Sequence, residues 1–181
     1  MQIEGYAVVC ENDCIADAEG KMPDSLKSDA EWAYFQAGLD LADLIVLGRK
    51  SDDVTPNPKE RLRLVMTRAV TAPTVKDQGT VLWNPVHTSF SRAIDLFEVN
   101  IDRVAVTGGK EVFDYFLQSD LGYSCFHLSR MKNVYLRGGV KLFSALEVSC
   151  ETPDKLLQSL AYLPSERIEL DTKASVVRWA R

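Results

Sequence analysis

Asp29 stands at the end of a polar, glycine-containing loop and seven residues after the Met22 of a Met22-Pro23 pair. A carboxylate at the start of a helix has two uses. It can interact with the positive end of the helix dipole. It can also grip an amidine-like pair of N–H groups on a heterocycle through two parallel hydrogen bonds. Apolar walls around it would raise its pKa and let it assist protonation of the bound ring.

Three more places combine reactive or charged side chains with the end of a strand-like run. Gly108-Gly109 follow the apolar run Arg103–Thr107 and open a helix over Lys110–Leu117. Two glycines let the backbone approach a ligand, and the helix start offers free N–H groups suited to phosphate. They also serve close helix–strand packing. Gly48-Arg49-Lys50-Ser51 follow Leu44–Leu47, and Thr67-Arg68 end the run RLRLVMTR. Open α/β sheets bind ligands at the carboxyl ends of their strands. Each place taken alone reads as a solvated loop. Taken together they favour a large phosphorylated ligand, for which a dinucleotide is the natural candidate. Arg49, Lys50 and Arg68 carry more charge than a pyrophosphate needs, which hints at the 2′-phosphate of NADP.

The elements that must position these residues follow from periodicity. Tyr6–Cys10 is a short apolar run suited to a strand buried on both faces. Ser28 and Glu31 form an S-x-x-E capping box, so a helix begins at Ser28 and presents Trp32, Phe35, Leu39 and Ala42 on one face. Thr80–Trp83 is a further strand and Thr88–Phe97 a further helix. Cys125–Arg130 and Val134–Leu136 are strand-like. RIELDTKASVVRWA reads as two antiparallel strands around 171–174. Strands that alternate with helices and then occur alone imply an α/β fold with a mostly parallel sheet and an antiparallel end.

The 181 residues suit one domain, and the net charge of −5 argues against a nucleic-acid partner. The longest apolar runs are far shorter than the ~20 residues of a membrane span, and the N-terminus does not resemble a signal peptide. Cys10, Cys14, Cys125 and Cys150 form no metal pattern and read as reduced thiols of a cytoplasmic protein. His87 and His127 are the only histidines; neither belongs to a nucleophile or metal constellation, and His127 reads as a packed strand residue. An exposed sheet edge, or the segment 142–165, could pair two chains as a homodimer.

Taken in order, these motifs resemble the dihydrofolate reductase superfamily over nearly the whole chain. The resemblance implies a three-layer α/β fold and NADPH as cofactor. Residues 13–23 are then a lid over the active site. Asp29 is the catalytic carboxylate and Ser129 its supporting hydroxyl. Arg49, Lys50, Ser51, Thr67 and Arg68 hold the adenosine phosphates, and Thr107, Gly108, Gly109, Lys110, Glu111 and Val112 the nicotinamide and pyrophosphate. Tyr6, Ala7, Asp29, Arg61 and Phe113 line the substrate, with Arg61 placed for a substrate carboxylate. The implied reaction is hydride transfer to a C=N bond of a pterin-like heterocycle such as dihydrofolate, abolished by Asp29→Asn. The pyrimidine reductase domain of riboflavin synthesis is a related alternative, although its Ser-x-Asp-Gly motif is absent. A nucleotide-binding protein without reductase activity is a third reading. Asp24, Ala33, Phe113 and Gly139 depart from the family's pattern, which implies a remodelled substrate side over a retained cofactor side.

Overall fold

The computed structural model describes residues 1–149 and 151–181; Cys150 lies outside the described residues. In chain order the strands are β1 (Gln2–Val9), β2 (Cys14–Ala16), β3 (Leu44–Gly48), β4 (Arg63–Met66), β5 (Thr74–Asp77), β6 (Thr80–Trp83), β7 (Arg103–Gly108), β8 (Cys125–Met131), β9 (Val140–Lys141), β10 (Leu163–Pro164), β11 (Ile168–Glu169) and β12 (Ala174–Ala180). The helices are α1 (Asp29–Asp40), α2 (Arg49–Val54), α3 (Phe90–Ile94), α4 (Lys110–Gln118), α5 (Ala145–Val148) and α6 (Pro153–Ser159).

The main sheet runs β10-β12-β8-β1-β7-β3-β4-β6-β5, with β11 also on β12. The six strands from β8 to β6 are parallel, while β12 and β5 pair antiparallel at the two flanks. The carboxyl ends of β1, β3, β4, β7 and β8 therefore share one edge. Successive side chains of a strand point to opposite faces, and β1 shows this directly. Ile3, Ala7 and Val9 join the large core that includes α4, while Tyr6 joins a smaller cluster with Phe35 and Leu39 of α1. Helices thus cover both faces, as the expected α/β architecture requires.

Several local expectations change. Val134–Leu136 is not a strand, because Asn12 already uses its side-chain amide on both backbone groups of Leu136. The short strand follows at Val140–Lys141 and pairs with β2. The helix expected over Thr88–Phe97 is a single turn of α-helix followed by a 3-10 turn at Asp95–Phe97. Gly48–Ser51, read as a loop, opens α2.

The expected lid over 13–23 is shorter than its sequence span. Residues 11–16 are fastened to 133–142 by backbone pairing, by Lys141 Nζ on the Asn12 carbonyl at 2.6 Å and by Leu142 N–H on the Asp13 carbonyl. Arg130 grips Asp13 at 2.7 Å and Asp154 at 2.9 Å. Only residues 17–23 remain outside these contacts, and Leu26 anchors the far side as a fully buried residue.

Gly139, a departure from the pattern the resemblance implies, has a physical reason to be glycine. A Cβ there would lie 2.6 Å from the Ala16 carbonyl oxygen and 3.0 Å from Cys14 Cβ, so β2 approaches too closely for any side chain. Gly139→Asp is expected to separate β2 from β9 at a cost of about 1–3 kcal/mol. Cys14, now buried, should then react with an aromatic disulfide reagent much faster than in the wild type.

Candidate active site

Helix α1 sets the site. Ser28 is its N-cap, accepting the Glu31 N–H at 3.3 Å and donating its own hydroxyl hydrogen to Asp171 at 2.6 Å. Half of the expected capping box is therefore made. The other half is not, because the Glu31 side chain turns into the buried face of α1. A residue two positions along a helix is rotated by about 200°. Asp29 consequently faces solvent, whereas Glu31 shares a stripe with Phe35 and Leu39 and is 92% buried, since its relative exposure is 8%. Burial raises the Glu31 pKa, and the Ser129 hydroxyl, which interacts with the carboxyl, pulls it the other way. Burial wins.

This corrects the pairing expected from the resemblance. Asp29 is exposed, and it is the pKa of Glu31 that the Ser129 hydroxyl lowers. Asp29 stays at the rim of a cleft of about 280 Å³ lined by Met22, Lys27, Ser28, Asp29, Glu31 and Trp32. Trp32, expected on the buried stripe, is half exposed at this rim, as is Met22. Because the Ser129 hydroxyl favours the ionised form, Ser129→Ala should raise the Glu31 pKa further, a change read by following the Glu31 side-chain carboxyl carbon through a pH titration.

The other substrate-side residues do not converge on the cleft. Tyr6 is buried beneath Gly38 and turns its hydroxyl to Glu4 at 2.6 Å. Ala7 points to the opposite face of the sheet, into the core that also holds Phe113. Phe113 packs on Phe126 with ring centres 5.7 Å apart. Arg61 already has partners in Asp40 and, at 3.0 Å, Gln36. Lys59 completes the neutralisation of Asp40 at 2.7 Å. Arg61 is thus a brace between α1 and the start of β4.

The cofactor-side residues do come together. β3 and β7 are neighbours, and their ends open α2 and α4 with Gly48 and Gly109 as N-caps that lack a side-chain cap. A Cβ on Gly48 would lie 3.5 Å from the Gly109 nitrogen, while one on Gly109 would meet nothing within 4 Å. Gly108, at φ +122°, has backbone that only glycine adopts readily. Two uncapped helix starts therefore meet beside open space, which suits an anion. Val112 is buried against Gly48, and Thr107 and Ser51 are half-buried at the same edge. Thr67 is buried and accepts the Ala69 N–H at 3.2 Å, leaving Arg68 exposed on the rim. Arg49 meets Asp53 at 3.0 Å, Arg68 meets Glu111 at 3.7 Å and Lys110 meets Glu147 at 2.5 Å. Lys50 is exposed. Pairs of this kind at the surface contribute about 0–1 kcal/mol and yield readily to a phosphate.

A second polar group lies deeper on the α1 face and escaped the sequence reading. Glu4 of β1 meets His127 Nε2 at 3.5 Å, the Tyr6 hydroxyl at 2.6 Å and Arg103 at 2.8 Å. The His127 contact above all, helped by Tyr6 and Arg103 and opposed by burial, lowers the Glu4 pKa to about 2. Burial and the Glu4 charge push the Tyr6 phenol far above its usual value.

Neither a protein-family model nor a curated protein sequence matches the chain. Solved structures do. A riboflavin biosynthesis protein from Shewanella sp. PV-4 superposes with a TM-score of 0.72 at 21% identity, covering 100% of this chain and 99% of that one. A diaminohydroxyphosphoribosylaminopyrimidine deaminase/5-amino-6-(5-phosphoribosylamino)uracil reductase from Thermotoga maritima gives 0.70 at 16% identity, covering 99% of this chain and 56% of that one. A dihydrofolate reductase from Enterococcus faecalis, complexed with NADP(H) and RAB-propyl, gives 0.62 at 17% identity, covering 99% of this chain and 96% of that one. With its parallel sheet, its antiparallel flank and helices on both faces, the chain has the dihydrofolate reductase-like fold.

Proposed function

We propose that the chain is an NADPH-dependent reductase of a C=N bond in a pterin-like or aminopyrimidine heterocycle. The observation that carries this reading is Glu31, a buried carboxyl with a raised pKa, set against Ser129 and opening on a cleft with apolar walls from Met22 and Trp32. Its environment favours the protonated form, from which the carboxyl can offer a proton to a ring nitrogen. When bound, the nicotinamide supplies the hydride.

The chain's own residues do the rest. The uncapped helix starts at Gly48 and Gly109 suit the pyrophosphate, and Arg49, Lys50 and Arg68 suit the adenosine phosphates. Lys110 and Glu111 flank this cradle. Glu31 orients the heterocycle and holds the proton, Ser129 limits how far its pKa rises, and residues 17–23 with Trp32 exclude water at the mouth.

One observation favours the aminopyrimidine form over dihydrofolate. Arg61, the residue placed for a substrate carboxylate, already spends one Nη on Asp40 and Gln36 as a brace of α1. A substrate without a carboxylate tail fits that arrangement better. The test is loss of NADPH absorbance with dihydrofolate and with a ribosylated or ribitylated aminopyrimidine, offered separately. Oxidation with the pyrimidine and not with dihydrofolate is expected. NADPH binding without oxidation across both would instead support a nucleotide-binding protein.

A further inference from the structure

Asp171 does more than close the turn it sits in. It lies between β11 and β12, where its Oδ1 accepts the Lys173 N–H at 2.7 Å and the Ala174 N–H at 2.6 Å. Those two bonds complete the turn. The other oxygen, Oδ2, reaches out of the turn and accepts the Ser28 hydroxyl at 2.6 Å, across 143 positions of chain.

Ser28 is buried and is the N-cap of α1. Its carbonyl accepts the Trp32 N–H at 2.9 Å, and its Oγ accepts the Glu31 N–H at 3.3 Å. The direction of the Ser28–Asp171 bond is forced. A carboxylate only accepts, and the Ser28 hydroxyl and then the Lys173 N–H hold the Asp171 carboxyl below its usual range. The single hydroxyl hydrogen of Ser28 therefore points at Asp171, and its lone pairs are left for the Glu31 N–H. Without Asp171 the hydroxyl is free to rotate, and the bond to Glu31 loses its fixed direction.

The same turn docks the segment that leads into α1. Leu26, two residues before Ser28, is fully buried in a cluster with Ala174 and Met131, against which Leu170 packs. Ala174 begins β12, and Val176 of β12 is in register with Ser129 of β8. The start of α1 and the strand paired with Ser129 are thus both tied to one carboxylate.

We propose that Asp171 is a positioning residue: by taking the Ser28 hydroxyl hydrogen it fixes the first turn of α1 and so the placement of Glu31 in the cleft. This rests on Glu31 as the acid of the reaction proposed above. Asp171 acts through Ser28, which lines that cleft.

The test compares wild type, Asp171→Ala, Ser28→Ala and the double variant, with Ser28→Thr as the conservative change that keeps a capping hydroxyl. In each, the Glu31 side-chain carboxyl is followed by carbon NMR through a pH titration. The groups near that carboxyl, Ser129 of β8, Tyr34 of α1 and the cleft residues Lys27 and Asp29, are kept in every variant, so a changed midpoint reports the cap. Loosening the first turn admits water to Glu31, so its midpoint should fall in both Asp171→Ala and Ser28→Ala. The double variant should fall no further than Ser28→Ala, and Ser28→Thr should stay closer to the wild type than Ser28→Ala does. With NADPH and a reducible heterocycle, Asp171→Ala should lose about tenfold or more in kcat while NADPH binding stays within about twofold of wild type. An unchanged Glu31 midpoint in folded Asp171→Ala overturns the proposal. So does an equal further fall when Asp171→Ala is added to Ser28→Ala, which would place the effect in the turn itself. If Asp171→Ala does not fold, Asp171→Asn takes its place under the same criteria, since its amide keeps an acceptor for the turn and its nitrogen cannot accept from Ser28. Absence of NADPH oxidation in the wild type, with the midpoints moving as stated, leaves the positioning role standing and removes the reductase reading.

Discussion

Glu31→Gln is expected to lower turnover by about 100-fold or more while NADPH binding stays within about twofold of wild type, since positioned acids contribute about 10²–10⁴ in rate. Glutamine keeps the size and hydrogen-bonding of the side chain and removes the proton. Asp29→Asn, at the exposed rim, should remain within a few-fold of wild type. The stability effect has the opposite sign. A carboxyl whose folded pKa is raised stabilises the fold fully below its unfolded pKa and less as pH rises through the folded one. At neutral and alkaline pH, Glu31→Gln should therefore be at least as stable as the wild type, which denaturant titration reads directly. Loss of activity without loss of fold is the pattern of a group kept for chemistry.

The second large effect is structural. Glu4→Gln should cost about 2–3 kcal/mol at neutral pH, because His127, Tyr6 and Arg103 all lose a charged partner. Arg103 reaches solvent, so the cost is below the full linkage value. The sign here is that of a depressed carboxyl. Its stabilisation is present above the ordinary glutamate range and disappears as pH falls towards about 2. The gap in denaturant midpoint between wild type and Glu4→Gln should accordingly close between about pH 4.5 and 2.

The meeting of the strand ends at Gly48 and Gly108-Gly109 was legible in the sequence because its signals are local. A strand that ends in Gly-Arg or Gly-Gly and then starts a helix places its glycines by chain connectivity alone. The burial of Glu31 was not legible because S-x-x-E has two outcomes. The motif fixed the start of α1 correctly at Ser28, but it assigned Glu31 to the helix's own backbone. The groups that set the environment of Glu31 are long-range: Ser129, whose hydroxyl lowers its pKa, lies almost a hundred residues away. One signal was present: Glu31, Phe35 and Leu39 are spaced by four, so a carboxyl sits on an apolar stripe. Glu4 was hidden similarly, its partners lying on β7, β8 and two positions along its own strand. Arg61 was visible as a cation, while its pairing depends on Asp40 meeting it across the fold.

The most direct measurement is the pH dependence of the first turnover of NADPH oxidation with a reducible heterocycle. The wild-type rate should be highest where Glu31 is protonated and fall as pH rises through its titration. The decline should move to higher pH in Ser129→Ala. In Glu31→Gln the rate should be low and flat. A profile in Glu31→Gln that matches the wild type, or a decline that follows Asp29→Asn instead, would contradict Glu31 as the proton-holding residue of this site.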